Sequence, residues 1–313
     1  MLKLFSGSAN IPLAQEVSSL VKIPLATSEI IRFGNSEVKV TIQEDVKHNE
    51  CVIIQPTANP TDTNMMELFF FCDSLRRQEA RRVIGIIPYF GYARQDIQHR
   101  EGECVSANVV IRFFESIGFY KIYTIDLHDE ATEGVFSIPF KNMSSLPILA
   151  ERIKEYIGNN SIDAVQIVSP DQGGIERARK FGSYFFGQPD FPLTVIEKRR
   201  DLNKIHTTKA LDLYGDVKEK IVILVDDIVT SGTTLINASN LCMEKGAKKV
   251  IASIVHHDFS TSAPQKLQNS VIDAFFTTNT IALKEGQKFN KMKEISVAKL
   301  IQEELSRLQK LYT

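Results

Sequence analysis

The chain of 313 residues has little cysteine, little net charge and no long apolar run. Its four cysteines are widely spaced and form no C-x-x-C pair, which excludes the common zinc and redox motifs. A net charge of −1 argues against a general nucleic-acid-binding protein, because such proteins are normally basic. No segment reaches about 18 consecutive apolar residues, and the N-terminal apolar run is too short for a signal peptide. These absences predict a cytoplasmic protein that binds neither membranes nor nucleic acid.

Strand and helix patterns alternate along the whole chain, which is typical of α/β proteins with parallel sheets covered by helices. The predicted strands are residues 2–5, 38–42, 51–55, 82–87, 121–125, 164–168, 193–196, 221–225 and 250–255. The predicted helices are residues 63–78, 106–117, 148–157, 232–245 and 295–311. Asn64 and Glu67 are placed to form a capping box in the first of these helices.

The length of the chain suits about two domains, and we place the boundary near residues 142–150. We therefore expect two similar α/β domains, residues 1–145 and 146–313. The last helix is amphipathic and could pack back on the first domain.

The most informative segment is residues 221–234, IVILVDDIVTSGTT. An apolar, β-branched strand ends in the carboxylates Asp226 and Asp227, and a loop of hydroxyl residues and glycine then begins a helix. Such a loop can direct backbone N–H groups and hydroxyls at a phosphate, assisted by the helix N-terminus. The two carboxylates precede the loop at a distance that suits ribose hydroxyls, which indicates a sugar-phosphate site.

An Asp-Asp strand end followed by a polar turn also occurs in proteins that bind no ligand there. Each half of the motif alone would favour that interpretation, whereas the complete order favours a ligand. The loop is not a Walker A loop, because it contains no Gly-Lys-Ser/Thr.

Other polar segments also follow predicted strands, and each has a simpler alternative. Residues 88–96 (PYFGYARQD) continue into a polar stretch that could form a lid, or that could be an ordinary surface loop. Residues 126–128 (DLH) could bind a metal or a phosphate, although a capping Asp beside a satisfied His is more common. Residues 169–174 (SPDQGG) could hold a metal through Asp171 or could form only a tight turn.

Two further segments carry charge or an aromatic ring. Residues 198–200 (KRR) could neutralise a polyphosphate, although such a run is usually a solvated turn. Residues 32–37 (RFGNSE) could stack on a base and bind its edge, although a single aromatic ring in a turn is normally packing. All of these segments lie at predicted strand ends, so together they indicate one site more strongly than they do singly.

Taken together, these motifs resemble those of ribose-phosphate diphosphokinases, also called phosphoribosyl-diphosphate synthetases. The resemblance runs nearly end to end and includes FSGSAN, RFGNSE, YARQD, TIDLH, SPDQGG, EKRR and VDDIVTSGTT. It implies two domains of the type I phosphoribosyltransferase fold, each with a mainly parallel sheet flanked by helices. It also implies transfer of the β,γ-diphosphoryl group of ATP to the C1 hydroxyl of ribose 5-phosphate. Mg²⁺ is the implied cofactor, and a homo-oligomer based on dimers, a tetramer or a hexamer, is the implied assembly.

The resemblance also assigns roles by motif. Lys198 and Arg200 would be catalytic, and His128 and Asp171 would bind the metal. The ATP-binding residues would be Phe33, Asn35, Ser36, Glu37, Arg94, Gln95, Asp96 and His128, with the residues of the RFGNSE motif coming from a neighbouring subunit. The residues that bind ribose 5-phosphate would be Arg200, Asp226, Asp227, Thr230, Ser231, Gly232, Thr233 and Thr234. Many members carry Asp where this chain has Thr230. This chain therefore lacks a carboxylate at that position, but its hydroxyl can still bind phosphate.

Two other functions remain open at this point. A phosphoribosyltransferase would share the VDD loop and release pyrophosphate, but it would lack the YARQD segment. A non-catalytic homologue would assemble with an active subunit, but such proteins usually lose site residues that are retained here.

Overall fold

The chain folds into two compact units. A computed structural model describes residues 1–98, 100–199 and 210–310. The first unit comprises Met1–Ser144, Thr280–Ala282 and Ser296–Thr313, and the second comprises Ser145–Asn279 and Leu283–Ile295.

The first unit contains a five-stranded parallel sheet with the strand order β1-β4-β5-β6-β7. A separate antiparallel pair, β2 and β3, forms a hairpin. Its elements are β1 (Leu2–Ser6), α1 (Ile11–Val21), β2 (Ser28–Arg32), β3 (Val38–Ile42), β4 (Glu50–Ile54), α2 (Thr61–Arg77), β5 (Arg82–Ile87), α3 (Ser106–Ile117), β6 (Lys121–Ile125) and β7 (Phe140–Met143). Because the sheet is parallel, the carboxyl ends of its strands meet at one edge.

The core of the first unit lies between this sheet and the helices α2 and α3. Leu68 and Phe71 of α2, Ile111 and Phe114 of α3, and Ile53 of β4 are all buried in one cluster. Burying a Leu, Ile or Phe side chain stabilises a fold by roughly 1.5–3 kcal/mol. This packing supports the loops at the carboxyl edge of the sheet.

The predicted capping box in α2 is wrong. The helix begins at Thr61 rather than Thr63, so Asn64 and Glu67 lie within it. The side-chain amide of Asn64 donates to the carbonyl of Ala58 (2.8 Å). The Glu67 side chain is fully buried and serves a tertiary contact instead of a local cap.

Glu67 connects three segments of the first unit. Its carboxylate accepts hydrogen bonds from the backbone N–H (2.7 Å) and hydroxyl (2.6 Å) of Ser8, which follows β1. It also accepts from Nε2 of Gln55 (3.0 Å), after β4, and from Nη2 of Arg32 (3.2 Å), at the end of β2. A buried carboxylate is stable only when it is paired and hydrogen-bonded in this way.

We expect Glu67→Gln to lower the free energy of unfolding by about 2 kcal/mol, because its hydrogen bonds to a charged acceptor would be lost. Chemical denaturation measures the effect. Glu29→Gln is the matched control, since Glu29 is exposed on β2 of the same unit. Equal stability of the two variants would contradict the role of Glu67.

The second unit contains a seven-stranded sheet with the order β10-β9-β8-β11-β12-β13-β14, in which only β10 pairs antiparallel. Its elements are α4 (Leu146–Ile157), β8 (Val165–Ser169), α5 (Ile175–Phe186), β9 (Leu193–Arg199), β10 (Ala210–Tyr214), β11 (Ile221–Val229), α6 (Thr233–Glu244), β12 (Lys249–His257), α7 (Ala263–Gln268), β13 (Ala274–Thr278) and β14 (Met292–Ile295). The chain then returns to the first unit, where α8 (Ala298–Lys310) packs against α1. Short 3₁₀ helices occur at Ser8–Asn10, Glu130–Val135 and Asn159–Ala164.

The strand order of the second sheet reverses between β8 and β11. The chain moves outward from β8 to β9 in one direction, and from β11 to β12 in the other. Open α/β sheets bind ligands in the crevice at the carboxyl ends of the strands at such a reversal. The segments that meet there are SPDQGG, after β8, and the TSGTT loop, after β11.

The helices beside this reversal lie on opposite faces of the sheet. Right-handed crossovers that move in opposite directions place their helices on opposite faces. The cluster that covers the α6 face includes Val222 and Leu224 of β11 with Leu235 and Leu241 of α6. Helix α5 contacts α4 and the strands β8, β9 and β11.

Strand β11 is longer than predicted, because it continues to Val229 instead of ending at Val225. It stays paired with β12, as Asp226 aligns with Ile254 and Ile228 with His256. The two carboxylates therefore lie within the strand, not after it, and adjacent strand residues point to opposite faces.

The described chain contains no helix with the length and apolar character needed to cross a membrane. All four cysteines are free thiols, and only Cys104 is exposed. Burial raises the pKa of Cys51, Cys72 and Cys242 to about 12. These three thiols are protonated at neutral pH and behave as small apolar side chains.

Candidate active site

The loop after β11 has the geometry of an anion site. Gly232, with a φ of +76°, precedes the first residue of α6 and adopts the left-handed conformation that glycine tolerates. The side chains of Ser231, Thr233 and Thr234 are exposed, and Thr230 is half-buried. The N–H groups of the first helical turn have no acceptor within the helix, so they can point at a bound anion.

The base of this loop is anchored. The N–H of Ser260, which precedes α7, donates to the carbonyl of Thr230 (3.0 Å), and Ile236 donates to the carbonyl of Gly232 (2.9 Å). Within the loop, the hydroxyl of Ser231 donates to that of Thr233 (3.2 Å). The loop is therefore held at both ends while its hydroxyl side chains are largely exposed, which is a preorganised arrangement for a phosphate.

The two carboxylates of β11 share an arginine from α5. Nη1 of Arg177 lies 3.2 Å from Oδ1 of Asp227 and 3.7 Å from Oδ1 of Asp226. The N–H of Asp227 donates to Oδ1 of Asp226 (2.9 Å). The side chain of Asp226 is 20% exposed and that of Asp227 is 5% exposed, so Asp226 is the more open of the two.

Negative charge is concentrated around Asp226. Burial, followed by the negative charge of Asp227, raises the pKa of Asp226 well above its usual range. Asp171 adds to this rise, and Arg177 partly opposes it. A donor set with this excess of negative charge suits a divalent cation or hydroxyl hydrogen-bond donors.

Asp171 lies in the turn between β8 and α5. Its carboxylate accepts from the N–H of Gly174 (3.1 Å), and its carbonyl accepts from the hydroxyl of Ser169 (2.7 Å). Both hydrogen bonds lie within the turn, as expected if SPDQGG forms only a tight turn. The turn nevertheless lies against β11, since a Cβ at Gly174 would lie 3.7 Å from Oδ1 of Asp171 and 3.9 Å from the carbonyl oxygen of Val225.

The predicted catalytic cations lie at the end of the neighbouring strand, β9, which continues to Arg199 and not only to residue 196 as predicted, so Lys198 lies within the strand. Ser169, the last residue of β8, aligns with Val195 of β9, so Lys198 lies three positions further along. At about 3.3 Å per residue, Lys198 lies roughly 10 Å beyond the end of β8 along the strand. The backbone of Lys198 pairs with Leu211, whereas the Lys198 side chain and the whole of Arg200 lie outside the described residues.

In the first unit, the predicted ATP-binding loop follows β5 at the carboxyl edge of the sheet. Tyr92 has a φ of 66°, and its hydroxyl donates to Asp62 of α2. Gln95 is tied to α3, because its carbonyl accepts from the N–H of Ala107 (3.1 Å). Arg94 is exposed between these anchors, and Asp96 is half-buried.

The DLH segment follows β6 at the same edge. Asp126 is buried, has a φ of 41°, and accepts from the hydroxyl of Ser144 (3.0 Å), so it joins the carboxyl ends of the parallel strands β6 and β7. His128 is exposed two residues later.

The RFGNSE segment forms the exposed turn of the β2–β3 hairpin. The N–H of Phe33 donates to the carbonyl of Glu37 (2.8 Å), and the N–H of Glu37 donates to Oδ1 of Asn35 (3.2 Å). Ser36 completes the turn with a φ of 75°. Phe33 is 47% exposed, so its ring is not a core side chain of this chain.

Comparisons with known proteins agree with this geometry. The family model for the N-terminal domain of ribose phosphate pyrophosphokinase matches residues 2–118, and the phosphoribosyl synthetase-associated domain matches residues 188–311. The ribose-phosphate pyrophosphokinase of Thermosipho africanus is 38% identical over 99% of this chain and 95% of its own length. That of Clostridium perfringens is 36% identical over 98% and 94%.

The chain belongs to the ribose-phosphate pyrophosphokinase family. A crystal structure of phosphoribosylpyrophosphate synthetase from Mycobacterium smegmatis superposes with a TM-score of 0.91 and 31% identity over 99% of each chain. The resemblance inferred from the motifs and the predicted α/β fold with mainly parallel sheets are thereby confirmed.

Within this family member, Arg177 is a site residue that the motifs did not indicate. The sequence did contain one indication of this role. A cation in the first turn of a helix is repelled by the helix dipole, so an arginine there needs a nearby carboxylate. Arg177 is the third residue of α5.

No group of three or more His, Cys, Asp or Glu side chains with metal-ligand geometry occurs among residues 1–98, 100–199 and 210–310. Mg²⁺ is commonly held by one or two carboxylates together with substrate phosphates. The carboxylates around Asp226 fit that mode, because the substrate would supply the remaining ligands.

The loop that carries Arg94 depends on a close approach at Gly91. A Cβ there would lie 2.4 Å from the carbonyl oxygen of Thr57 and 2.6 Å from Cγ2 of Thr61. We expect Gly91→Ala to displace the loop and lower kcat/KM for ATP by on the order of 10- to 100-fold. Gly134→Ala is the control, because no heavy atom lies within 4 Å of its Cβ position. If steady-state kinetics show the same kcat/KM for both variants, the loop does not position Arg94.

Proposed function

We propose that this chain transfers the β,γ-diphosphoryl group of ATP to the C1 hydroxyl of ribose 5-phosphate, which yields 5-phosphoribosyl 1-diphosphate and AMP. The observation that carries this proposal is the switch-point crevice, where an open phosphate loop follows the carboxylates Asp226 and Asp227. Membership of the ribose-phosphate pyrophosphokinase family supports the same reaction.

Ribose 5-phosphate would bind with its phosphate against the N-terminus of α6. The hydroxyls of Thr230, Ser231, Thr233 and Thr234 and the backbone at Gly232 would contact the phosphate oxygens. The ribose hydroxyls would then face the carboxylates of β11, which accept hydrogen bonds. This orientation leaves the C1 hydroxyl free to attack the β-phosphorus while the bond to the α-phosphate oxygen breaks and AMP leaves.

ATP would bind through Arg94, Gln95, Asp96 and His128 at the carboxyl edge of the first unit. Phe33, Asn35, Ser36 and Glu37 would bind the adenine from a neighbouring subunit, and the exposure of Phe33 supports such a contact. The assembly would accordingly be a homo-oligomer built from dimers. Lys198 and Arg200 would stabilise the charge on the transferring group, since phosphoryl transfer depends on positioning and electrostatic stabilisation.

Mg²⁺ would neutralise charge on the phosphates when it is bound. We propose His128 and Asp171 as metal-binding residues, and the negative charge that Asp171 and Asp226 concentrate supports a cation beside Asp171. A cytoplasmic location is consistent with four free cysteines.

Product analysis tests the proposal. The protein is incubated with Mg²⁺, ATP and ribose 5-phosphate, and the products are separated by ion-exchange chromatography. We expect AMP and 5-phosphoribosyl 1-diphosphate in equal amounts, and neither product when either substrate is omitted. Failure to form AMP with both substrates present would exclude the proposed reaction. Pyrophosphate release in the presence of a nucleobase and 5-phosphoribosyl 1-diphosphate would instead indicate a phosphoribosyltransferase.

A further inference from the structure

The Asp226–Asp227 pair is asymmetric in its surroundings. Nη1 of Arg177 lies within hydrogen-bond distance of Asp227 (3.2 Å) but lies further from Asp226 (3.7 Å). The Arg177 side chain is 13% exposed, and that of Asp227 is 5% exposed. A carboxylate that is nearly excluded from water and lies next to a guanidinium accepts a charge-assisted hydrogen bond from it.

The position of Arg177 needs a compensating negative charge. Arg177 lies in the first turn of α5, where the helix dipole repels a cation. Its partner carboxylate must therefore compensate both the dipole and the partial burial of the guanidinium.

The two carboxylates also belong to different faces of the sheet. Asp226 aligns with Ile254, which lies in the apolar cluster on the α6 face. This register places Asp226 on the α6 face, and the hydrogen bond from Arg177 of α5 places Asp227 toward the α5 face. The phosphate loop leads directly into α6, and Asp226 therefore shares a face with the helix that the loop begins.

We infer that Arg177 is a positioning residue that anchors Asp227 on the α5 face and leaves Asp226 as the carboxylate that meets the ribose hydroxyls. This inference rests on the proposed function, because it concerns the same ribose 5-phosphate site. It divides the roles within a pair of residues that the sequence motif presents as equivalent. Arg177 acts through Asp227 and does not contact the sugar.

The first experiment compares the two carboxylates. Calorimetry measures the Kd of ribose 5-phosphate for Asp226→Asn and Asp227→Asn in the full chain, without ATP. We expect Asp226→Asn to weaken binding at least about tenfold more than Asp227→Asn. Equal losses, or a larger loss for Asp227→Asn, would overturn the inference.

The second experiment tests Arg177 itself. Arg177→Met should weaken ribose 5-phosphate binding by about tenfold and leave the KM for ATP unchanged, and Arg177→Lys should recover part of the loss. Adding Asp227→Asn to Arg177→Met should cause little further loss, because residues that act as one unit are non-additive. The matched control is Arg179→Met, since Arg179 is exposed on the same helix.

The outcomes separate the inference from the proposed function. If the unmodified protein forms AMP but Arg177→Met binds ribose 5-phosphate as Arg179→Met does, only the inference fails. If the unmodified protein forms no AMP with both substrates, the proposed function fails. Should Arg177→Met not fold, the comparison of Asp226→Asn with Asp227→Asn still decides the inference.

Discussion

Asp226→Asn is expected to raise the Kd of ribose 5-phosphate by about 100-fold. A hydrogen bond to a charged acceptor contributes roughly 1.5–3 kcal/mol, and each 1.4 kcal/mol corresponds to a tenfold change in Kd. Asp226 is the more open carboxylate of its pair and lies on the face of α6, so the substitution replaces the proposed carboxylate acceptor of the ribose hydroxyls by a neutral amide. Isothermal titration calorimetry with ribose 5-phosphate measures the change without requiring turnover.

The control for this experiment is Asp190→Asn, which removes an exposed carboxylate from the connection between α5 and β9. It should bind ribose 5-phosphate like the unmodified protein. An unchanged Kd for Asp226→Asn would show that the sugar does not contact this residue.

Lys198→Ala is expected to lower kcat by about 1,000-fold, because removing a group that stabilises transition-state charge typically has an effect of this size. The KM for ribose 5-phosphate should change by only a few-fold, since the charge that Lys198 neutralises develops during transfer. Strand β9 continues past the end of β8 at the edge of the sheet where the phosphate loop lies, and this carries Lys198 toward the transferring group. Steady-state kinetics with both substrates varied separates the two parameters.

Lys266→Ala serves as the comparison, because Lys266 is an exposed lysine on α7 of the same unit. Its kcat should match that of the unmodified protein. Proportional losses in kcat and in ribose 5-phosphate affinity for Lys198→Ala would assign this residue to substrate binding and not to the transition state.

The sequence predicted the parts of the fold that depend on local pattern. Strands β3, β5 and β6 and helix α3 have the predicted bounds, because their apolar periodicity is strong and turn residues flank them. The phosphate loop was also recognisable, since a strand, two carboxylates and a hydroxyl-glycine loop occur there in unbroken order.

Features that depend on distant partners could not be predicted in this way. Strand β11 runs through Asp226 and Asp227 because β12 continues beside it, which a local polarity pattern does not reveal. Glu67 resembled a helix cap, but its carboxylate binds Ser8, which lies 59 positions away. Arg177 acquires its role only through α5, which brings it to a strand 50 positions further along the chain.

The most direct test of the account is a crystal structure of the protein with ribose 5-phosphate bound. We expect the phosphate to lie against the N-terminus of α6, in contact with Ser231, Thr233 and Thr234, and the ribose hydroxyls to lie within hydrogen-bond distance of Asp226. Sugar-phosphate density at any other position, with this loop left empty, would contradict the account.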